Sequence, residues 1–360
     1  MKFRSDIQGL RAVAVLLVIA HHYFPNLLPG GFIGVDIFFV ISGYIITQIL
    51  RRDLVKPLSL FLLDFYARRI RRILPTALLI IVVITLASHI LLGPITGADT
   101  ARDGIFASLF IANIHFNKLA IDYFASGLPQ PILQHFWSLS IEEQFYLVWP
   151  LLFFVLARWK FGAKIVAVCI TVGSFVFALN LFSTDAATTY FSTFARIWEL
   201  GVGALLALSN VTRPNQKFSA LGLISLIIYS STLHSSQDFL GFPALLVIAL
   251  TVLAVITSEG NRFLQSKVMV WIGDSSFVLY LIHWPILQIY RLYKGESVNL
   301  IESLILLVLC FLISALIHHS FENPIRYSIF LVKNSVRTIV LGIGSIVLTI
   351  LVVGYLGGGV

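Results

Sequence analysis

The stretch "AVAVLLVIAHHYFPNLLPGGFIGVDIFFVISGYIIT" runs from Ala12 to Thr47. It holds two apolar runs separated by "FPNLLPGG", a segment that no helix runs through without a break. A bilayer is crossed by about 20 mainly apolar residues, so each run reads as a membrane span and the pair as a helical hairpin. Three residues do not suit lipid: His21, His22 and Asp36. A polar or ionisable group in a span is costly and marks a candidate for function.

The rest of the chain extends this pattern. Hydrophobic residues make up 58% of the 360 and charged residues 12%, with a mean hydropathy of +0.93. A water-soluble surface needs more charge than this, so the composition is that of a polytopic, all-α membrane bundle. Spans are expected near 9–24, 32–50, 73–92, 136–156, 164–182, 192–208, 218–233, 242–257, 277–292, 299–320 and 336–357. This makes ten core spans and an eleventh at the C-terminus. "GIFASLFIANIHF" (104–116) is apolar but short, and is read as a re-entrant or interfacial segment of an outer loop.

The net charge of +8 belongs to the loops. With the N-terminus inside, the inner segments carry Lys2, Arg4 and Arg11, seven basic residues within 51–72, and ten more including Arg158, Lys160 and Lys164. That is 20 of the 25 Lys and Arg, which is the positive-inside distribution. It excludes a nucleic-acid surface, which needs a basic stripe on a soluble face. An odd number of spans puts the C-terminus outside. The loop 51–72 is expected to lie along the inner surface as an amphipathic helix. The loop 93–135 is the longest outside and is able to cover an outward-facing site. Cys169 and Cys310 lie in apolar runs and suggest no disulfide framework. No cleavage site follows the first apolar run, which reads as a retained span. The end, "GYLGGGV", reads as a flexible linker toward something further or as a simple stop.

Arg11 and His22 are eleven residues apart on the first span. Eleven residues are close to three helical turns, about 16 Å along the axis, so the two share a face while His21 points elsewhere. They either hold two parts of a long ligand or sit as polar residues at the two interfaces. Asp36 either fixes the imidazole of His22, as a carboxylate does for a histidine base, or caps the second helix. Gly30, Gly31, Gly34 and Gly43 let helices approach closely. "RRIRR" (68–72) presents Arg68, Arg69, Arg71 and Arg72. Planar guanidinium forks suit phosphate, although the run equally suits a topology determinant. Glu142 lies within the fourth span and is read as an acceptor contact, a proton relay or an ion-pair partner of Arg196. Arg196 also lies three residues from Glu199 on one helical face. Glu322, at the inner end of the tenth span, pairs with the inner arginines or marks a helix end. His283 precedes Trp284-Pro285, where a helix is expected to kink. His89, His115, His135, His234, His318 and His319 are scattered, and no metal is expected.

These residues fall into an ordered series of motifs. Arg11-x10-His22 and "LPGGFIGVDIFFVISGYIIT" are followed by "RRIRRILP" (68–75) and "HFWSLSIEEQFYLVWP" (135–150). "RIWELGVGALLAL" (196–208), "YLIHWP" (280–285) and "FENPIR" (321–326) complete it. The series resembles the acyltransferase 3 family of membrane O-acyltransferases, especially bacterial enzymes that acetylate the O-antigen of lipopolysaccharide or other surface polysaccharides.

The resemblance implies a protein of the bacterial cytoplasmic (inner) membrane. It implies transfer of an acetyl group from cytoplasmic acetyl-CoA to a sugar hydroxyl outside. His22 would be the base or a transient acyl carrier, assisted by Asp36 and Glu142. Arg11, the arginines 68–72 (as Arg68/Arg71 or Arg69/Arg72) and Glu322 would lie on the donor side. Ser42, Tyr44, Trp137 and His283 are the candidate substrate contacts. Residues 1–330 would form the acyltransferase domain, and 331–360 an added helix and linker toward an extracytoplasmic SGNH-type domain. A transporter or flippase would use the same intramembrane charges as a substrate path. Such proteins commonly show repeated halves, and none is visible here.

Overall fold

The computed structural model describes residues 4–126, 130–159, 162–209, 211–233 and 241–358. Lys2, Lys160, His234 and the last two residues of "GYLGGGV" lie outside the described residues. Among the described residues there is no strand. The helices are α1 (Ser5–Tyr23), α2 (Gly34–Asp53), α3 (Leu58–Leu92), α4 (Pro94–Ser108), α5 (Ala112–Ser126) and α6 (Phe136–Leu156). They continue with α7 (Gly162–Phe182), α8 (Ala186–Phe191), α9 (Thr193–Ser209), α10 (Gln216–Thr232), α11 (Phe242–Thr257) and α12 (Lys267–Lys294). The last are α13 (Leu300–Ile317), α14 (Asn323–Arg326), α15 (Ile329–Val332) and α16 (Ser335–Leu356). A helix stands at each of the eleven expected span positions, and among the described residues seven segments are long and apolar enough to cross a membrane by length and composition.

Two expectations about the loops change. Residues 58–72 are not a separate surface helix but the start of α3. The 35 residues of α3 extend about 52 Å at 1.5 Å per residue, more than the ~30 Å hydrocarbon core. Leu, Ala and Arg are strong helix formers and nothing breaks the run before Pro75, which is carried inside the helix. The segment 104–116 is divided between α4 and α5, with Phe110 between them in a left-handed backbone conformation (φ 54°). Each of these helices has 15 residues, about 22 Å and too short to span.

The chain forms two compact units. One comprises Met1–Asp53 and Ile141–Ser276, the other Leu54–Ser140 and Phe277–Val360. In the first unit α2 lies along α9 and α9 along α7. The α2–α9 approach depends on glycine. A Cβ at Gly43 would collide with the Leu200 carbonyl, and one at Gly203 with the Val40 carbonyl. Close backbone approach through small residues is what holds helices together where lipid supplies no hydrophobic drive between them. Trp149 Nε1 donates to Thr47 Oγ1 at 2.9 Å. Ser174 Oγ donates to the Phe194 carbonyl at 2.6 Å and accepts from Trp198 N at 3.0 Å, joining α7 to α9.

In the second unit α16 and α4 pack along α3. Asp64 on α3 takes hydrogen bonds from Lys56 Nζ at 2.6 Å and from Ser335 Oγ, at the start of α16, at 3.0 Å. The segment before α6 and the first turn of α6 are fixed to α12: Trp284 Nε1 donates to the Pro131 carbonyl at 2.9 Å, and Ser138 Oγ and Tyr280 Oη lie 2.6 Å apart.

Replacing Gly43 by valine is expected to force α2 from α9 and cost about 1–3 kcal/mol. Gly222→Ala, where the added carbon meets only ordinary contacts, serves as the control. Thermal unfolding of the two purified variants checks this: a clear loss of Tm for Gly43→Val and little change for Gly222→Ala is expected.

Candidate active site

Arg11 and His22 stand on one unbroken helix, α1, as their spacing requires. Arg11 is buried, and its Nη1 donates to Gln8 Oε1 at 2.9 Å. His22 is half-buried near the C-terminal end of α1, with its neighbour His21 turned against Phe32 at a ring separation of 5.5 Å.

Asp36 lies in the first turn of α2, where a carboxylate also favours the helix dipole. Its charge is met from α9. Arg196 Nη2 donates to Asp36 Oδ1 at 2.9 Å, and Arg196 Nη1 lies 3.2 Å from Glu199 Oε1. The guanidinium also stands over the rings of Phe39 and Tyr190, 5.6 and 5.7 Å from their centroids. Asp36, Arg196 and Glu199 are each no more than 1% exposed. The Arg196–Glu199 pair read from the i, i+3 spacing is therefore present, and Asp36 is a third member of it.

Glu142 and Ser42, a hundred residues apart, meet in the same unit: Ser42 Oγ donates to Glu142 Oε1 at 2.6 Å. Tyr44 is buried and its hydroxyl is 3.5 Å from Arg4 Nη1. It thereby borders a cluster that sequence reasoning missed. In that cluster Arg4 Nε binds Asp6 Oδ1 at 2.8 Å, and Ser258 Oγ donates to Asp6 Oδ2 at 2.7 Å.

The remaining candidates belong to the second unit. Arg68, Arg69, Arg71 and Arg72 are half-buried on the N-terminal part of α3. At 100° per residue all four project within an arc of about 160°, so both proposed registers share one helix face. Arg71 Nη1 reaches the Leu331 carbonyl at 3.5 Å, and the Arg69 guanidinium lies 5.9 Å from the Phe65 ring centroid.

Glu322 is buried, and its partner among the described residues is a histidine, not an arginine: His318 Nδ1 is 2.7 Å from Glu322 Oε2. The other ring nitrogen lies 3.0 Å from Asn323 Nδ2. Nδ1 is then the donor to the carboxylate and Nε2 the acceptor, the neutral tautomer. The pair lies in a π-helical turn at His318–Glu322, a distortion frequent at functional sites.

His283 is fully buried with Nδ1 2.6 Å from the Tyr280 carbonyl, and its ring centroid is 5.9 Å from that of His135. Trp137 is buried at the start of α6.

A further pair had no sequence signal. His115 Nε2 and Asp103 Oδ1 are 2.8 Å apart across the α4–α5 turn. Burial pushes the Asp103 carboxyl above the ordinary carboxylate range, and the His115 hydrogen bond draws it part of the way back.

A family model described as an acyltransferase domain matches residues 4–319. The chain is 34% identical over 355 residues to the peptidoglycan O-acetyltransferase OatA of Listeria monocytogenes, covering 92% of this chain and 57% of that protein. It is 30% identical over 351 residues to the O-acetyltransferase OatA of Staphylococcus aureus, covering 90% and 57%. It is 32% identical over 356 residues to the putative peptidoglycan O-acetyltransferase YrhL of Bacillus subtilis, covering 90% and 55%. The chain thus spans little more than half the length of these relatives. No solved structure matches it.

Removing Arg196 leaves two carboxylates buried without their cation. Arg196→Met is expected to cost about 3–5 kcal/mol, and the triple change Arg196→Met, Asp36→Leu, Glu199→Leu to recover most of it. Thermal melts of the variants in one lipid or detergent check the ordering.

Proposed function

The chain belongs to the acyltransferase 3 family and is a membrane acyltransferase, and from that premise we propose that it moves an acetyl group from cytoplasmic acetyl-CoA to a sugar hydroxyl of peptidoglycan. The observation that carries this reading is the match of an acyltransferase model along nearly the whole chain. Family membership sets aside the transporter alternative. The relatives' names speak of peptidoglycan, so the expectation of an O-antigen acceptor gives way to that polymer.

The topology in this proposal has the N-terminus inside a bacterial cytoplasmic membrane and the C-terminus outside after eleven spans. Residues 1–330 are the transferase, and 331–360 lead toward an extracytoplasmic SGNH-type domain. The four arginines on one face of α3 support a polyanionic donor, because guanidinium forks bind phosphate in a bidentate way and α3 carries them beyond its apolar span.

A thioester is already activated, so the acceptor hydroxyl is the group that needs help. A neutral imidazole removes its proton near pH 7. His22 holds that role here. The sugar oxygen forms a bond to the acetyl carbon, the carbon–sulfur bond breaks, and the proton held by His22 passes to the departing thiolate. The reading in which His22 carries the acetyl group in between uses the same residue. Arg11, three turns away on the same face, orients the donor. Glu142, fixed by Ser42, serves the acceptor side, with Trp137 and His283 as further substrate contacts, while Tyr44, whose hydroxyl borders Arg4, lies toward the donor side. Glu322 acts through His318, which it holds in one tautomer.

CoA release by the full chain in lipid nanodiscs, supplied with acetyl-CoA and a peptidoglycan glycan fragment, tests the proposal. Wild type is expected to turn over, and His22→Ala to lose at least a hundredfold at unchanged Tm, the scale of general base catalysis. Undiminished turnover by His22→Ala would refute the role of His22. Absence of both donor binding and turnover in wild type would refute the donor.

A further inference from the structure

In the second unit, a cavity of about 350 Å³ opens between α4, the start of α5, the segment Gln130–Ile132 and the end of α12. Its size lies within the range of small-ligand clefts, about 300–1,000 Å³. None of the motifs above uses it. Its wall includes the hydroxyl-bearing side chains of Thr96 and Thr100, the amide of Gln130, and the Asp103–His115 pair.

That pair is built rather than incidental. Asp103 is buried and His115 nearly so. The imidazole is stacked face to face on Phe106, with ring centroids 4.1 Å apart and planes 8° apart, and has Phe116 at 5.3 Å on another side. Packing therefore fixes the ring plane, and the 2.8 Å bond from Nε2 to Asp103 fixes the tautomer with its proton on Nε2. Nδ1 is left with a lone pair, and among the described residues no hydrogen bond is made to it. A preorganised acceptor of this kind suits a hydroxyl donor.

The charges around the cavity exclude a polyanion. Asp99 and Asp103 are carboxylates, Arg102 is the one permanent cation among the lining residues, and it already lies 3.7 Å from Asp99. The Arg-rich face of α3 is the opposite case, so this is not a second donor site. The hydroxyl, amide, carboxylate and imidazole groups are set among the apolar side chains of Leu119, Pro131, Ile132 and Leu292. What fits such a cavity, with no surplus of positive charge, is an uncharged sugar, whose hydroxyls meet the polar groups and whose C–H faces meet the apolar wall.

We propose that this cavity is a carbohydrate-binding subsite in which His115 Nδ1 accepts a hydrogen bond from a sugar hydroxyl while Asp103 and Phe106 hold the ring in place. Its role as an acceptor subsite rests on the acyl-transfer reading and on the outer placement of the 93–135 segment. The binding itself does not.

The test is titration calorimetry of the full chain in nanodiscs with a β-1,4-linked N-acetylglucosamine tetrasaccharide. Wild type is expected to bind, and His115→Ala to bind at least tenfold more weakly with an unchanged Tm. If His115→Ala lowers Tm, Thr96→Trp, which fills the cavity from its half-buried wall, decides in its place and is expected to abolish binding. Equal affinity of wild type and the deciding variant, or no binding by wild type, overturns the subsite. Wild-type protein that binds the tetrasaccharide through His115 but releases no CoA from acetyl-CoA would leave the subsite standing and remove the acyl-transfer reading.

Discussion

Arg196 and its two carboxylates set the terms for the first unit. In a water-free interior a lone guanidinium or carboxylate is costly enough that the chain must bring partners to it. Asp36 comes from α2, while Arg196 and Glu199 come from α9, so the two helices are locked in one register. The lock closes only because the backbones approach closely at Gly43 and Gly203. The guanidinium is also held over the rings of Phe39 and Tyr190, whose faces attract a cation. An ion network of this cost is weak ground for stability and better ground for specificity of helix pairing. Helix α1 packs against α2, and α1 carries Arg11 and His22, the residues on which the proposed chemistry depends.

The second unit solves a different problem. Its arginines are kept out of the apolar layer by the length of α3, which projects as a continuous helix. The α3 shaft is braced by Asp64, which receives Lys56 and Ser335. Two of its histidines are each held by a carboxylate: His318 by Glu322 within one π-turn, His115 by Asp103 across a turn between helices. In both, the acid selects which ring nitrogen keeps the proton, so the other is ready to accept. His318 spends that nitrogen on Asn323, whereas His115 retains it beside a cavity. The same device thus serves packing in one place and offers a binding group in the other.

Much of the helical plan was legible from hydropathy alone, because lipid allows few alternatives to an apolar helix of sufficient length. All eleven expected positions are helical. What hydropathy misjudged was continuity. The basic segment before Pro75 has the polarity of a surface helix and the propensity of a straight one, and propensity prevailed. Local spacing found the Arg196–Glu199 pair, since both lie on one helix face. It did not place Asp36 with them, because that contact is made across 160 residues.

By itself, the sequence determined that this protein is a helical membrane protein and which polar residues are embedded in it, and its ordered motifs pointed to an acyltransferase. These are properties of composition and order, and a chain carries them before it folds. Only the tertiary structure decided which charges meet. Ser42 with Glu142, Asp36 with Arg196 and Asp103 with His115 are pairings over distances in sequence that no periodicity encodes. They depend on how closely helix backbones approach and on the need of each buried polar group for a partner where water is absent.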